Sequence, residues 1–311
     1  MEIDINVADL TALGLSENAA SSLSVALESH FREACDARSA WFQLNKTELT
    51  QYPFSVQCYI FEKCYPSFRE RPELAPAWQP ETPANTNLAA FLQLHQLENL
   101  ATARSLAAED YAAFWKSVIE TLPIDFEKQP DSICDLSAGI ENPKWLPGAR
   151  MNIAKSCFTA NPSSIAMVYL DHKRQRKSLT YAELDALTNQ IAASLVANGY
   201  QAGDAIGIAM PMTHYAIAIY LGIIKMGGIV VCIADSFSGN EMAMRLNIAK
   251  AKGFFTQDVS LWGEKSVALY DKISSIADRT WQTIVVPAQE TVSANLNGRD
   301  ITWENFLKPG G

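Results

Sequence analysis

Lys173, Arg174, Arg176 and Lys177 place four cations within five residues, a density that could grip a phosphate group. An apolar run from Ile165 to Leu170 precedes them and Ser178 to Thr180 follows. That pattern puts the charges in a hairpin turn over 171–177, where a run of one sign is ordinarily a solvated tip. The four histidines, His30, His95, His172 and His214, share no metal-ligand spacing. Six cysteines, Cys35, Cys58, Cys64, Cys134, Cys157 and Cys232, include no C-x-x-C pair. Neither G-x-G-x-x-G after a strand nor G-x-x-x-x-G-K-[ST] before a helix occurs, so the usual dinucleotide and triphosphate loops are missing. No G-x-S-x-G elbow is present either, which disfavours a serine hydrolase. Asp235 reads as an acceptor for amides at a strand end, and Arg245 as a partner for Glu241 one helical turn away. Asn45-Lys46-Thr47 matches a glycosylation sequon, which carries no meaning in a chain kept inside the cell.

These residues need a scaffold, and hydrophobic periodicity supplies one. Residues 1–70 read as helical, with a run from Glu17 to Ala34 behind a Ser16 cap that aligns Ala20, Leu23, Ala26 and Leu27. Pro72, Pro76, Pro80 and Pro83 then mark an extended linker. Helical spacing returns over 88–120, gathering Tyr111, Phe114, Trp115 and Ile119, before a short irregular stretch to Cys157. From Ile165 strands and helices alternate. Strands are expected at 165–170, 178–180, 205–210, 229–233, 253–256 and 283–286, and helices at 180–198, 213–225, 241–251 and 269–277. Thr180 and Glu183 have capping-box spacing, and Leu184, Leu187, Ile191 and Leu195 form one apolar stripe. Such alternation predicts an α/β fold with a mostly parallel sheet and helices on both faces, preceded by a mainly helical extension.

Composition narrows the class further. With 311 residues, 48% hydrophobic and 19% charged, the chain is globular rather than disordered or fibrous. Its net charge of -9 offers no general attraction for nucleic acid or an anionic membrane. The acidic excess lies early: residues 1–150 carry 21 acidic and 11 basic side chains, against 13 and 14 in the remainder. Unpaired cysteines and the absence of a secretory signal in MEIDINVADL predict a reducing, cytoplasmic compartment. Tyr215–Ala234 is about long enough to span a bilayer, but Gly227-Gly228 divides it into a helix-like half and a β-branched half. A buried helix feeding a buried strand is therefore expected there, with no membrane span.

Several segments in order carry a resemblance. They are WLPGARMNIAKSC at 145–157, SLTYAELDALTNQIAASLVANG at 178–199, the strand from Ala205 into Met212, and LGIIKMGGIVVCIADSFSGNEMAMRLNIAKAKGFFTQD at 221–258. Together they resemble the N-terminal portion of AMP-forming acyl-CoA synthetases of the adenylate-forming superfamily, in the acetyl-CoA synthetase-like branch. CIADSF at 232–237 and FTQDVSLWGEKSVALY at 255–270 are similar to plant-type acyl-activating enzymes with a long N-terminal extension. The resemblance implies an extension with a Pro-rich linker at 1–87, an acetyl-CoA synthetase-type segment at 88–157, and an α/β subdomain of an AMP-binding domain at 158–311. It also implies ATP, Mg2+ and CoA as cofactors of the longer enzyme, and a carboxylic acid as substrate.

The same resemblance implies that Ser236 and Phe237 approach CoA, and that Trp262 and Lys265 occupy two positions facing its 3′-phosphate. Trp262 stands where the family has Arg, and an indole offers stacking in place of charge. Family members follow this region with a Ser/Thr/Gly-rich phosphate loop and later an adenylating lysine, and neither motif occurs in these 311 residues. The chain by itself is expected to be inactive, with no catalytic residue of its own and no cofactor firmly expected on it. Its expected partners are the remaining half of the same protein and other copies of itself. A peroxisomal address remains open, since such a signal is a C-terminal tripeptide. A noncatalytic α/β interaction or regulatory module is the alternative.

Overall fold

The computed structural model describes residues 5–34, 36–68, 70, 80, 82–262, 265–276 and 279–308. Cys35, Pro72, Pro76, Trp78, Ala277 and residues 309–311 lie outside them, as does the side chain of Trp262. The chain divides into two compact units, Met1–Glu98 and Asn99–Gly311.

The first unit is helical: α1 Val7–Ala12, α2 Glu17–Glu33, α3 Ala37–Thr47, α4 Phe54–Cys64 and α5 Asn87–Leu94. Side-chain oxygens of Asn6, Ser16, Asp36 and Thr86 each accept an N-terminal amide, answering donors that the first helical turn leaves free. Leu10, Leu23, Leu27, Phe31, Leu44, Val56 and Ile60 close a single core around α1–α4. Ala20, Leu23 and Leu27 are buried, as the stripe in α2 requires. Burial pushes the Cys64 thiol up to about 12, so it stays protonated as a small core hydrophobe.

The second unit opens with α6 Leu100–Glu109 and α7 Tyr111–Thr121, two-residue strands β1 Cys134–Asp135 and β2 Lys144–Trp145, and α8 Ile153–Ser156. The hairpin of β3 Ile165–Leu170 and β4 Arg176–Thr180 comes next, followed by α9 Tyr181–Ala197. Then β5 Ala205–Ala209, α10 His214–Met226, β6 Ile229–Cys232, α11 Gly239–Ile248 and β7 Gly253–Gln257 alternate. A hairpin of β8 Val259–Trp262 and β9 Lys265–Ala268 leads into α12 Leu269–Ser274, β10 Gln282–Val286, β11 Ile301–Thr302 and α13 Trp303–Leu307.

Five strands form one parallel sheet in the order β11-β10-β7-β5-β6. Alternation along each strand sends side chains to opposite faces. Ile206, Ile208, Phe255, Ile284 and Val286 pack against α9, α10 and α13, while Ala209, Phe254 and Val285 pack against α11 and α12. Each of these buried aromatics and aliphatics contributes about 1.5–3 kcal/mol relative to exposure, so the two faces hold the sheet rather than any single contact. The expected two-faced parallel sheet is thus present.

Local chemistry sets the junctions. Thr180 and Glu183 form the expected capping box, and Gly227 closes α10 with φ +88°, a conformation that turns the helix directly into β6. That helix–strand break divides 215–234 as the glycine pair predicts, and among the described residues no helix is long and apolar enough to cross a membrane. Asn152 links the segment before α8 to α10: its Oδ1 accepts from the Ala154 amide, and its Nδ2 donates to the Ile224 and Lys225 carbonyls. Lys225 reaches Asp185 (2.5 Å) and Asn189 (2.7 Å) and lies 4.4 Å over the Phe158 ring, fastening the same segment to α9.

Three departures from the periodicity have a local cause. β4 begins at Arg176, because the Asp171 carboxylate accepts from the Lys173 and Gln175 amides and closes the turn early. α11 begins at Gly239 behind a Ser238 cap, with Glu241 reaching back in a second capping box. The β8–β9 hairpin fills what reads as loop, since its Ser and Lys positions weaken the alternation.

Candidate functional site

In this sheet, α10 after β5 covers one face and α12 after β7 covers the other, although β5 and β7 are neighbours. Chains that leave adjacent parallel strands toward opposite faces open a crevice at the carboxyl ends, where ligands of open α/β sheets bind. Two clefts lie at those ends. One of about 600 Å³ is lined by Met210, Met212, Cys232, Asp235, Ser260 and Leu261. It brings the ends of β5 and β6 to the first strand of the β8–β9 hairpin. The other, about 960 Å³, includes Tyr169, Lys177, His214, Gln257, Glu290 and Trp303.

The loop after β6 is shaped by three contacts. The Phe237 amide donates to the Ala234 carbonyl, the Arg245 guanidinium lies 4.2 Å from the Phe237 ring centre, and Lys272 Nζ donates to the Asp235 and Phe237 carbonyls. Ser236 is exposed on this loop and Phe237 is half-buried against the α11–α12 core. The expected Arg245–Glu241 side-chain pair does not form among the described residues. The Glu241 carboxylate is turned back to the Ser238 amide and hydroxyl, which holds it below the usual carboxylate range, and Arg245 donates to the Glu241 carbonyl instead. Asp235 likewise contributes its carbonyl, and no amide is recorded on its carboxylate among the described residues.

Asp258 performs the amide-accepting role expected of Asp235. It is buried at the root of the hairpin, and its carboxylate accepts from Val259 N (2.9 Å), Ala288 N (2.8 Å), Ser293 N (2.8 Å) and Ser293 Oγ (2.8 Å). Its carbonyl accepts from Leu269 and Tyr270 amides where the hairpin returns. One residue therefore joins β7, the hairpin and the loop that follows β10. Beyond it, Trp262 pairs with Lys265 across the hairpin end, where Lys265 is exposed. Ser236 and Phe237 belong to the β6 loop and Trp262 and Lys265 to the hairpin; among the described side chains the 600 Å³ cleft is lined by neighbours of both pairs and not by Ser236, Phe237 or Lys265.

The larger cleft is differently built. His214 is stacked on Tyr169 (4.1 Å) and meets the tilted ring of Tyr215 (3.9 Å), and burial lowers its pKa. The basic cluster at its rim is divided: Lys173 pairs with Glu290 and Lys177 with Asp171, so neither points as a free cation into the space. That division favours the solvated-turn reading of the cluster over a phosphate grip.

Comparison with known proteins decides the family. Residues 155–304 match the AMP-binding enzyme family, and residues 101–157 match the acetyl-coenzyme A synthetase N-terminus. A probable peroxisomal acyl-activating enzyme of Arabidopsis thaliana is 32% identical over 97% of this chain, and a hexanoyl-CoA synthase of Cannabis sativa is 31% identical over 96%. The chain belongs to the AMP-binding enzyme family. It spans 45% of the length of each of those two relatives. A solved acetoacetyl-CoA synthetase from Streptomyces lividans superposes with a TM-score of 0.67 at 22% identity, covering 76% of this chain and 38% of that one, and supports the same fold. The first match begins at Lys155 and the second ends at Cys157, within and just after α8, at the segment that Asn152 and Lys225 fasten to α9 and α10.

Proposed function

We propose that the chain is the N-terminal part of an ATP-dependent acyl-CoA synthetase. That enzyme joins a carboxylate to the α-phosphorus of ATP, releases pyrophosphate, and then lets the CoA thiol displace AMP from the acyl-adenylate. The match to acyl-activating relatives along nearly the whole chain is the observation that carries this reading. On it, the β6 loop and the β8–β9 hairpin border the CoA nucleotide, with Ser236 and Phe237 near the ligand and Trp262 and Lys265 toward its 3′-phosphate. The cleft between these two elements, with Met210, Met212 and Leu261 as apolar lining, supports a nucleotide-sized ligand at that end of the sheet.

Residues 1–87 then serve as an extension, 88–157 as the acetyl-CoA synthetase-type segment, and 158–311 as part of the AMP-binding domain. Mg2+ is proposed to accompany ATP in the longer enzyme, and among the described residues no group of three or more His, Cys, Asp or Glu is placed to hold a metal ion. Cytoplasm or peroxisome is the proposed location, the second because of the peroxisomal relative. Self-association completes the proposal: β6 is an outer strand with Ile229 exposed, and concentration-dependent sedimentation tests it.

The deciding assay uses the longer protein that contains these residues. Carboxylate-dependent exchange of pyrophosphate into ATP, followed by CoA-dependent thioester formation, is the expected result. A longer protein that does neither overturns the reading and leaves the noncatalytic module.

A further inference from the structure

The β6 loop is held by a cation that the acyl-CoA reading does not use. Lys272, half-buried in α12, donates from Nζ to the Asp235 carbonyl at 2.8 Å and to the Phe237 carbonyl at 3.3 Å. No carboxylate is paired with it among the described residues, so its charge is answered only by two main-chain dipoles. α11 and α12 also meet at the backbone: a Cβ on Gly239 would stand 1.8 Å from the Lys272 carbonyl oxygen. Glycine at 239 therefore permits the approach that lets Lys272 reach the loop.

Two consequences follow for an anionic ligand. Carbonyl oxygens directed at a phosphate repel it, and a lysine that engages two of them holds those dipoles toward itself. Its charge, with no carboxylate partner among the described residues, also lies directly beneath the loop. Arg245 adds a second cation, set over the Phe237 ring and hydrogen-bonded to the Glu241 carbonyl, its charge answered in part at longer range by the Glu241 carboxylate.

We propose that Lys272 is a positioning residue for the nucleotide phosphates of CoA: it fixes the Ala234–Ser238 loop in the receptive conformation and supplies positive potential without touching the ligand. The inference rests on the acyl-CoA synthetase reading above.

The test has two parts. In the longer enzyme, Lys272→Met is expected to raise the CoA KM about fivefold or more, while carboxylate-dependent ATP–pyrophosphate exchange keeps its rate and its KM for ATP. Lys272→Arg, which restores a cation with several donors, should return the CoA KM to within about twofold of wild type. In the 311-residue chain, hydrogen exchange at amides 235–238 should quicken in Lys272→Met while β5, β7 and β10 keep their protection. If Lys272→Met does not fold, Lys272→Gln carries the test, since its amide can still donate to one carbonyl and should give an intermediate CoA KM. An unchanged CoA KM in an active enzyme removes Lys272 alone. Parallel loss of exchange and thioester formation, or loosening of the whole sheet, shows a general folding role and also overturns the inference. A wild-type enzyme that forms adenylate but no CoA thioester removes the acyl-CoA reading itself.

Discussion

Replacing Asp258 with alanine should loosen the hairpin and the loop after β10 together. The carboxylate accepts from three main-chain amides and one hydroxyl, all at 2.8–2.9 Å, while only 2% of the residue is exposed. Each buried donor left without an acceptor costs about 1–3 kcal/mol, and the Ser293 hydroxyl can rotate to a new partner. Three stranded amides, partly relieved by water entering on the loop side, give a loss of about 3–5 kcal/mol. For a unit of this size that corresponds to a fall in Tm on the order of 10 °C. Urea unfolding followed by tryptophan fluorescence measures it, with the change read from the midpoint at constant slope. Asp258→Asn keeps an acceptor for Val259 and Ala288 and should lose only about 1–3 kcal/mol. A loss below about 1 kcal/mol for the alanine variant, or equal losses for both variants, would refute the view of Asp258 as the pin between these elements.

Three further outcomes are expected. Asp300→Ala should destabilise the second unit by about 3–5 kcal/mol, because it strands Arg279, whose side chain is 6% exposed, and removes the acceptor of the Tyr270 hydroxyl and the Thr283 amide. The double variant Arg279→Met, Asp300→Leu should lose less in the same urea titration. Burial lowers the pKa of His214 from 6.5, so the unfolded chain takes up a proton first as pH falls; its contribution is intact above about pH 6.5 and is lost on acidification through the lower folded value. Melting temperatures at pH 7.5 and 5.5 should therefore fall further for the wild type than for His214→Phe, and equal falls count against that burial. The 311-residue chain, which contains no Gly-rich loop followed by the phosphate-binding lysine, should give only background ATP–pyrophosphate exchange. Activity above background would place the adenylation groups within these residues.

Much of the scaffold was legible because period and caps agree. The stripe Leu184, Leu187, Ile191 and Leu195 sits between a capping box and a left-handed glycine, and α9 forms between them as expected. The division of 215–234 into α10 and β6 was readable from Gly227 and the β-branched residues after it. The hairpin at 259–268 was not, because its root is held by Asp258 accepting from amides 30 and 35 residues away, which no local pattern records. Arg245 illustrates the limit of spacing rules: its i−4 partner Glu241 was already committed to the Ser238 cap, and an aromatic ring took the guanidinium instead. Lys272 carried no sequence signal either, since its acceptors are main-chain carbonyls whose positions depend on how α11 meets α12.

The claim that the hairpin faces CoA is tested most directly by Lys265→Glu in the longer enzyme, assayed with CoA and with dephospho-CoA. Lys265 is exposed at the hairpin end, so removing its attraction for a phosphate should cost about 1–2 kcal/mol and raise the CoA KM roughly fivefold to thirtyfold. Repulsion from the new carboxylate adds to that rise. Dephospho-CoA, which lacks the 3′-phosphate, should respond little, and the adenylation half-reaction should stay near wild type. Equal rises with both thiols would show that the residue acts through hairpin structure, and unchanged CoA kinetics would remove Lys265 and the hairpin end from the CoA site.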